Sequence, residues 1–345
     1  MAKLFFLLSG EHPTLPAFEL RSILEAEGYE HRVLKRLPQV LRVEADVRCV
    51  ETIASRAAMT RVCGTELFQC SAIIEEICEE AGSAPLEEFI GRSETFVVRV
   101  KRVRGVSPRI NRGELERKLG EIILNRVKGV KVNLREPRKV FFGVLTRERF
   151  VFGTKIAEIS PKAFVERRPH KRPFFHPAAI PAKIARCMVN LAQPKRGELL
   201  LDPFCGTASI LVEAGLMGVR VVGLDAKRRM IVGGLQNLLY YGITPEGMAV
   251  ADARRPPVTR VDCVVTDPPY GRSATTLGLT TGEVVYGMLR EVIDVLPRGG
   301  RICMASPKTV RVGRIGRELG LEHVKSHFLY VHRSLTREIA VFERT

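Results

Sequence analysis

Apolar and polar positions alternate in several segments of the first half of the chain, whereas short apolar runs recur between amphipathic segments in the second half. In the first half, the segments KLFFLLSG and TFVVRVKRVRG predict strands, and HRVLKRLPQVLRVEA predicts a hairpin. Helical spacing recurs over Leu15 to Glu27, Val50 to Met59 and Ser71 to Cys78, and again over RINRGELERKLGEIILNRV. The segments VNLREP, KVFFGVLT and RFVFGTKI predict a strand-rich end. This half is therefore expected to be an α+β structure.

From Ala178 onward, short apolar runs alternate with amphipathic helices. The runs GELLLD, VRVVGLD, MAVADA, VDCVVTD and RICMASP predict strands, and the segments between them mostly have helical spacing. This alternation predicts an α/β fold with a doubly wound, mostly parallel sheet. The last two segments, LEHVKSHFLYVH and TREIAVFER, predict an antiparallel hairpin at one edge of that sheet.

The composition of the chain predicts the charge of its partner and the cellular compartment. The chain has 345 residues, which suggests two or three domains, and a formal net charge of +17. An excess of this size predicts affinity for a polyanion. No apolar run approaches the roughly 18 residues of a membrane span, so no membrane partner is expected. The eight cysteines contain no CxxC pair, which indicates buried reduced thiols in a cytoplasmic protein and disfavours a zinc site.

Basic residues are dense on one predicted strand–loop–helix unit and in a Pro-rich linker. The candidates for RNA contact in the unit are Arg99, Lys101, Arg102, Arg104, Arg109, Arg112 and Lys118. Those in the linker are Arg168, Lys171 and Arg172. A merely solvated surface is the alternative for such a run. The local density and the global charge excess favour an RNA-binding surface.

Four successive predicted strands end in or next to an aspartate: Asp202, Asp225, Asp252 and Asp267. Ligands of open α/β sheets bind beyond the carboxyl ends of the strands. LLLDPFCGT is neither a GxGxxG loop nor a P-loop, so Asp202 suits the ammonium of an amino-acid moiety better than a pyrophosphate. Asp225 would take two ribose hydroxyls, and Asp252 an adenine amine. A helix N-cap remains the alternative for Asp225, and a turn aspartate for Asp252.

The segment VDCVVTDPPYG carries the candidate reaction centre. Pro268 and Pro269 cannot continue a strand, because they lack an N–H group, so the chain must leave the sheet as a rigid turn. The turn presents the Asp267 carboxylate, the Pro268 carbonyl and the Tyr270 ring. The two oxygen acceptors suit the N–H bonds of an exocyclic amine, and the ring can stack on a planar base. A surface turn that happens to contain these residues is the alternative.

The motifs LLLDPFCGT, VVGLD, ADA and TDPPYG, in this order, resemble those of S-adenosylmethionine-dependent amino-methyltransferases. RPFFHPAAIPAKIARCMVNLA and HRSLTREIAVFE resemble segments of tRNA guanine-N2 methyltransferases, and the basic unit resembles a THUMP domain. The whole chain thus resembles the archaeal and eukaryotic enzymes that methylate N2 of guanine at position 10 of tRNA. The resemblance implies a ferredoxin-like part at 1–50, a THUMP domain at 51–154, a linker at 155–177 and a Rossmann-like methyltransferase domain at 178–345.

The resemblance also implies roles for individual residues. S-adenosylmethionine is expected to contact Asp202, Pro203, Phe204, Cys205, Gly206, Thr207, Asp225, Ala226, Asp252, Ala253 and Asp267. The expected catalytic residues are Asp267, Pro268, Pro269 and Tyr270. Phe174, Phe175 and His176 would close over the adenine or the substrate, although packing of an apolar linker on the sheet explains them equally well.

Several alternatives stay open at this point. A DNA or rRNA amino-methyltransferase would share DPPY and the fold, and an RNA-binding protein with an inactive methyltransferase fold would share both halves. A nicotinamide oxidoreductase is excluded because the phosphate-binding glycines are missing. Relatives often need a small zinc-binding activator subunit, for which the strand around Met248 to Ala253 offers an edge. The sequence alone does not distinguish such a heterodimer from a monomer, or one methyl group from two.

Overall fold

The computed structural model describes residues 1–103, 110–269, 278–333 and 335–345. Within these ranges the chain forms two compact units. One comprises Met1–Leu20, Gly28–Ser55 and Met59–Ser160, and the other comprises Arg21–Glu27, Arg56–Ala58 and Pro161–Thr345. Each unit is built around one sheet.

The first unit contains an eight-stranded sheet. Its strands are β1 (Ala2–Leu8), β2 (His31–Leu37), β3 (Val40–Ala45), β4 (Thr60–Ser71), β5 (Thr95–Arg102), β6 (Lys131–Val132), β7 (Lys139–Thr146) and β8 (Arg149–Glu158), in the order β2-β3-β1-β4-β8-β7-β5-β6. The helices of this part of the chain are α1 (Leu15–Ala26), α2 (Cys49–Arg56), α3 (Ile74–Ser83) and α4 (Arg112–Arg126). The predicted opening strand, helix and hairpin are confirmed.

The helices predicted over Val50 to Met59 and Ser71 to Cys78 are present as α2 and α3 with shifted bounds, but strand β4 between them was missed. β4 pairs with β1 on one side and β8 on the other, and its side chains alternate between buried and partly exposed. Gly64 lies within it, where an added Cβ would come within 2.4 Å of the Phe5 ring. A glycine and several polar residues hide the alternation in the sequence. The strand is imposed by its two neighbours.

The second unit contains a seven-stranded sheet with helices on its faces. Its strands are β9 (Leu199–Asp202), β10 (Arg220–Asp225), β11 (Gly247–Val250), β12 (Cys263–Thr266), β13 (Arg301–Pro307), β14 (Leu321–His332) and β15 (Leu335–Arg344), in the order β11-β10-β9-β12-β13-β15-β14. Its helices after residue 160 are α5 (Lys162–Glu166), α6 (Ala182–Leu191), α7 (Ser209–Gly215), α8 (Arg228–Tyr240), α9 (Thr281–Val295) and α10 (Val312–Glu318).

The pairing of this sheet confirms the predicted fold class. β9 to β13 run parallel, whereas β15 pairs antiparallel with both β13 and β14. The closing hairpin therefore forms one edge, as the sequence predicts. β11 forms the other edge. The carboxyl ends of β9, β10, β11 and β12 consequently lie side by side, because parallel strands end at the same edge of a sheet.

The segment expected to be a linker is partly regular and firmly anchored. β8 continues to Glu158, and α5 follows at Lys162. Arg167 then forms an ion pair of 2.7 Å with Glu213 of α7, whose carboxylate is fully buried and also accepts Arg186 at 3.0 Å. A buried carboxylate requires such partners, because burial of an unpaired charge is costly. Residues 161–176 are therefore held against helix α7, one of the helices that cover the sheet.

Two further properties follow from the described residues. The eight cysteines are free, and all except Cys78 are buried, in line with the expected buried thiols. No helix in the described ranges is long and apolar enough to cross a membrane.

Candidate active site

A cavity of about 990 Å³ opens at the carboxyl ends of the parallel strands in the second unit. This is the position at which open α/β sheets bind ligands, and the volume fits a ligand of nucleoside size. Every described residue expected from the sequence to bind cofactor or to react lies in its wall: Asp202, Pro203, Phe204, Cys205, Gly206, Thr207, Asp225, Ala226, Asp252, Ala253, Asp267, Pro268 and Pro269. Tyr270 and Gly271 lie outside the described residues.

Asp202 ends β9 and is almost entirely buried. One carboxylate oxygen accepts a hydrogen bond of 2.7 Å from the Thr266 hydroxyl and one of 3.1 Å from the Phe204 N–H. Burial raises the pKa of Asp202 to about 7, although these two hydrogen bonds oppose the shift. Asp202 lines the cavity, where its carboxylate form, favoured as the pH rises through about 7, can receive a ligand's ammonium group.

Gly206 shapes the loop after β9. Its φ of +50° lies in the left-handed region that favours glycine, and its N–H donates to the Asp225 carboxylate at 3.2 Å. A Cβ on Gly234 of α8 would lie 3.0 Å from the Gly206 carbonyl oxygen, so helix and loop are in close contact. Two glycines thus bring the loop backbone, helix α8 and the carboxylate at the end of β10 together.

Asp225 and Asp252 differ in their environments. Asp225 also accepts the Lys227 N–H at 2.9 Å, and burial raises its pKa. Asp252 lies two residues beyond β11, and its carboxylate accepts the Arg254 N–H at 3.0 Å and the Arg254 guanidinium at 2.6 Å. Hydrogen bonding by this guanidinium lowers the pKa of Asp252. Asp252 thus makes the local hydrogen bonds of a turn aspartate and also lines the cavity, so its geometry is compatible with both predicted roles.

Asp267 follows β12 directly and faces a cation that the sequence analysis missed. Its carboxylate Oδ2 lies 3.5 Å from Nη2 of Arg337 on β15, and both side chains are largely buried. Arg337 reaches this position because β15 pairs with β13. In this pairing Arg337 lies opposite Pro307, the last residue of β13. The only signal in the sequence is a basic residue within HRSLTREIAVFE, far along the chain from DPPY.

Asn237 of α8 is a second residue that sequence reasoning missed. Its fully buried amide accepts the Phe174 N–H at 2.9 Å and donates to the carbonyls of Phe174 at 2.9 Å and Thr207 at 3.0 Å. Phe174 packs on Gly233, where a Cβ would lie 2.1 Å from the ring. The amide thus ties the Phe174 backbone to the loop after β9, and the residues just after Phe174 form a wall of the cavity, beginning with His176. Phe175 is exposed.

The residues expected to bind RNA are distributed over both units. In the first unit, Arg99, Lys101 and Arg112 are exposed, Lys118 pairs with Glu114 at 3.2 Å, and Arg102 donates to the Ile110 carbonyl. Arg104 and Arg109 lie outside the described residues. In the second unit, Arg168 and Lys171 are exposed.

Arg172 is a correction to the expected RNA-contacting set. It is only 5 % exposed, and its guanidinium donates to the Ser209 hydroxyl at 2.6 Å and to the Arg167 carbonyl at 3.1 Å. A buried guanidinium with protein partners cannot reach a phosphate at the surface. The charge run in the sequence did not reveal this, because burial depends on the docking of residues 161–176.

Comparison with known proteins places both halves of the chain. A family model described as an RMKL-like methyltransferase domain matches residues 169–339, and a THUMP domain model matches residues 71–154. The tRNA (guanine(10)-N2)-dimethyltransferase of Methanothermobacter thermautotrophicus is 38 % identical over 344 residues, which cover 99 % of each chain.

Among solved structures, TrmN from Thermus thermophilus superposes with a TM-score of 0.54 at 21 % identity, covering 99 % of this chain and 100 % of that one. SMU.472, solved complexed with SAH, has a TM-score of 0.53 at 16 % identity, with 100 % and 99 % covered. At these identities the likeness is one of fold.

Proposed function

Because the chain belongs to the family of tRNA (guanine(10)-N2)-dimethyltransferases, we propose that it transfers methyl groups to the exocyclic N2 amine of guanine 10 in tRNA. One structural observation carries the mechanism: β12 delivers Asp267 to the wall of the same cavity that contains Asp202 and Asp225. The full-length similarity favours this function over a DNA or rRNA methyltransferase and over an inactive RNA-binding protein.

The residues of the cavity fit S-adenosylmethionine, which when bound supplies an electrophilic methyl group. Asp202 would accept the ammonium of the methionine part, since its carboxyl group lies at the buried end of the cavity. Asp225 would accept the ribose hydroxyls, because each of its oxygens keeps acceptor capacity beside the backbone N–H it already binds. We also assign the adenine amine to Asp252, which would have to share its carboxylate with Arg254.

The corner formed by Asp267, Pro268 and Pro269 would hold the target amine. The guanine N2 lone pair is delocalised into the purine, so this nitrogen is a weak nucleophile. Asp267 and the Pro268 carbonyl would accept its two N–H bonds and direct the lone pair toward the methyl donor. Much of the rate would then come from positioning. Arg337 fixes the carboxylate through the 3.5 Å contact, and Asp267 or water beside it takes the proton. Tyr270 would stack on the base.

RNA binding is assigned to the basic residues around the THUMP match and to exposed Arg168 and Lys171. A guanine within a helix must leave its stack before it reaches Asp267, at a cost of a few kcal/mol. Contacts between basic side chains and the RNA backbone would offset this cost. Because such contacts release counterions, the affinity for tRNA should fall as the salt concentration rises.

We further propose a small zinc-binding activator subunit as a partner at the edge of β11. This strand ends the sheet, and Val250 at its end is 54 % exposed. Val232 and Leu239 on α8, which packs against β11, are also exposed. An added strand would pair with the free edge, and its side chains would cover the apolar ones. A chain that is fully active and stable alone would contradict this partner.

Mass spectrometry of tRNA nucleosides tests the function. Purified chain is incubated with unmodified tRNA and S-adenosylmethionine, with and without the activator subunit. N2-methylguanosine or N2-dimethylguanosine at position 10 is the expected product, and the ratio of the two shows how many methyl groups are added. Absence of both products in both arms, or methylation at another atom, would refute the proposal.

A further inference from the structure

The edge strand β14 exposes large aromatic side chains beside the cavity. Tyr330 is 75 % exposed and Phe328 is 46 % exposed. Side chains two positions apart on a strand point to the same face of a sheet, so these two rings share one face. The exposed parts of these two neighbouring aromatic rings form apolar area that the fold leaves in contact with water. Such a pair therefore indicates a surface that binds a ligand.

The register of the hairpin places Tyr330 at the wall of the cavity that contains the proposed reaction centre, and Phe328 lies two positions before it on β14. Leu329 is paired with Arg337, and Tyr330 with Thr336. Arg337 is the residue whose guanidinium lies 3.5 Å from Asp267. Tyr330 thus lies one position along the strand from the residue opposite Arg337, and it lines the mouth of the same cavity.

Positive charge accompanies the rings. The ammonium of Lys308 lies 5.4 Å from the centre of the Phe328 ring. Lys308 follows β13 directly, at the sheet edge where the cavity opens. His332 and Arg333 continue the exposed end of the hairpin. Aromatic rings interleaved with cations are the surface that binds single-stranded nucleic acid, since the rings stack on bases and the cations attract the backbone.

We propose that Lys308, Phe328 and Tyr330 form a stacking platform for a base of the RNA strand next to the target guanosine. The platform rests on the proposed function, because extrusion of the guanine into the cavity leaves its neighbour without a stacking partner. A protein partner would also cover exposed rings. The lysine beside Phe328 and the position at the mouth of the cavity favour RNA.

The test compares Tyr330→Ala with Tyr330→Phe and with Tyr240→Ala in the full chain. Tyr240 is a matched control, since it is 63 % exposed and lies on α8 rather than on the hairpin. The dissociation constant for unmodified tRNA is measured at fixed salt, and that for S-adenosylmethionine by calorimetry. Loss of one base–aromatic stack, worth about 1–3 kcal/mol, should raise the dissociation constant of Tyr330→Ala for tRNA by about five- to 150-fold. Tyr330→Phe and the control should match the wild type. All variants should bind S-adenosylmethionine equally.

Two further results complete the test. Lys308→Met should reduce the slope of log affinity for tRNA against log salt concentration by about one unit, which corresponds to the loss of one phosphate contact. Equal tRNA affinities for Tyr330→Ala and Tyr240→Ala would overturn the platform, and this is also the result expected if a protein covers the rings. If the wild-type chain methylates tRNA while this equality holds, only the platform fails. If the wild type binds tRNA but methylates no guanine, the proposed function fails instead.

Discussion

Replacement of Asn237 by alanine should destabilise the second unit and weaken the cofactor site at the same time. The buried amide makes three hydrogen bonds, to the Phe174 N–H, the Phe174 carbonyl and the Thr207 carbonyl. A typical hydrogen bond contributes ~1 kcal/mol net, and a buried group left without a partner costs ~1–3 kcal/mol. Because the Phe174 backbone is only partly buried, water can replace some of these bonds. The expected loss in the free energy of unfolding is therefore about 3 kcal/mol.

The same change should loosen the wall of the cavity that follows Phe174. If ~1.4 kcal/mol of the lost energy had held this wall against the loop after β9, the dissociation constant for S-adenosylmethionine would rise about tenfold. Urea unfolding and calorimetry measure the two effects. Gln236→Ala is the matched control, since Gln236 is an exposed neighbour on the same helix. The reasoning is refuted if Asn237→Ala and Gln236→Ala unfold at the same urea concentration and bind the cofactor equally.

Three further predictions concern charge. The raised pKa of Asp202 makes the folded chain bind more protons than the unfolded chain between about pH 4 and 7. The contribution of Asp202 to the free energy of unfolding should therefore fall as the pH rises through this window. The affinity for S-adenosylmethionine should increase over the same window, up to about pH 7, because the ammonium group binds the ionised carboxylate. Calorimetry across this range should show the increase in affinity, and Asp202→Asn should abolish it. Arg337→Gln should lower kcat roughly tenfold or more in methyl-transfer assays, with tRNA affinity unchanged, because the Asp267 carboxylate loses its ion pair with this guanidinium; unchanged kcat would contradict this. Arg168→Ala should reduce the salt slope of tRNA binding by about one unit, whereas Arg172→Met should leave the slope unchanged and lower the melting temperature.

The aspartates of the cavity were predictable from the sequence because each lies next to the strand that positions it. Each aspartate follows its own strand, and adjacency of parallel strands then brings Asp202, Asp225 and Asp267 into one wall. The residues that were missed act through contacts distant in the chain. Arg337 reaches Asp267 only because β15 pairs with β13, and Asn237 looks like any polar position on a helix until Phe174 docks on it.

The first unit was less predictable for a similar reason. β4 contains Gly64, which makes room for Phe5 but weakens the alternating pattern of the strand. The burial of Arg172 was likewise invisible, since a run of basic residues looks the same whether its members face water or Ser209.

The central claim is that the corner at Asp267 holds guanine by its exocyclic amine. The most direct measurement is single-turnover methyl transfer to two synthetic tRNAs that differ only at position 10, one with guanosine and one with inosine, which lacks the amine. The account predicts transfer to the guanosine tRNA by the wild type, a loss of about a hundredfold or more with Asp267→Asn, and no transfer to the inosine tRNA. Undiminished transfer to the inosine tRNA, or an Asp267→Asn chain as fast as the wild type, would contradict it.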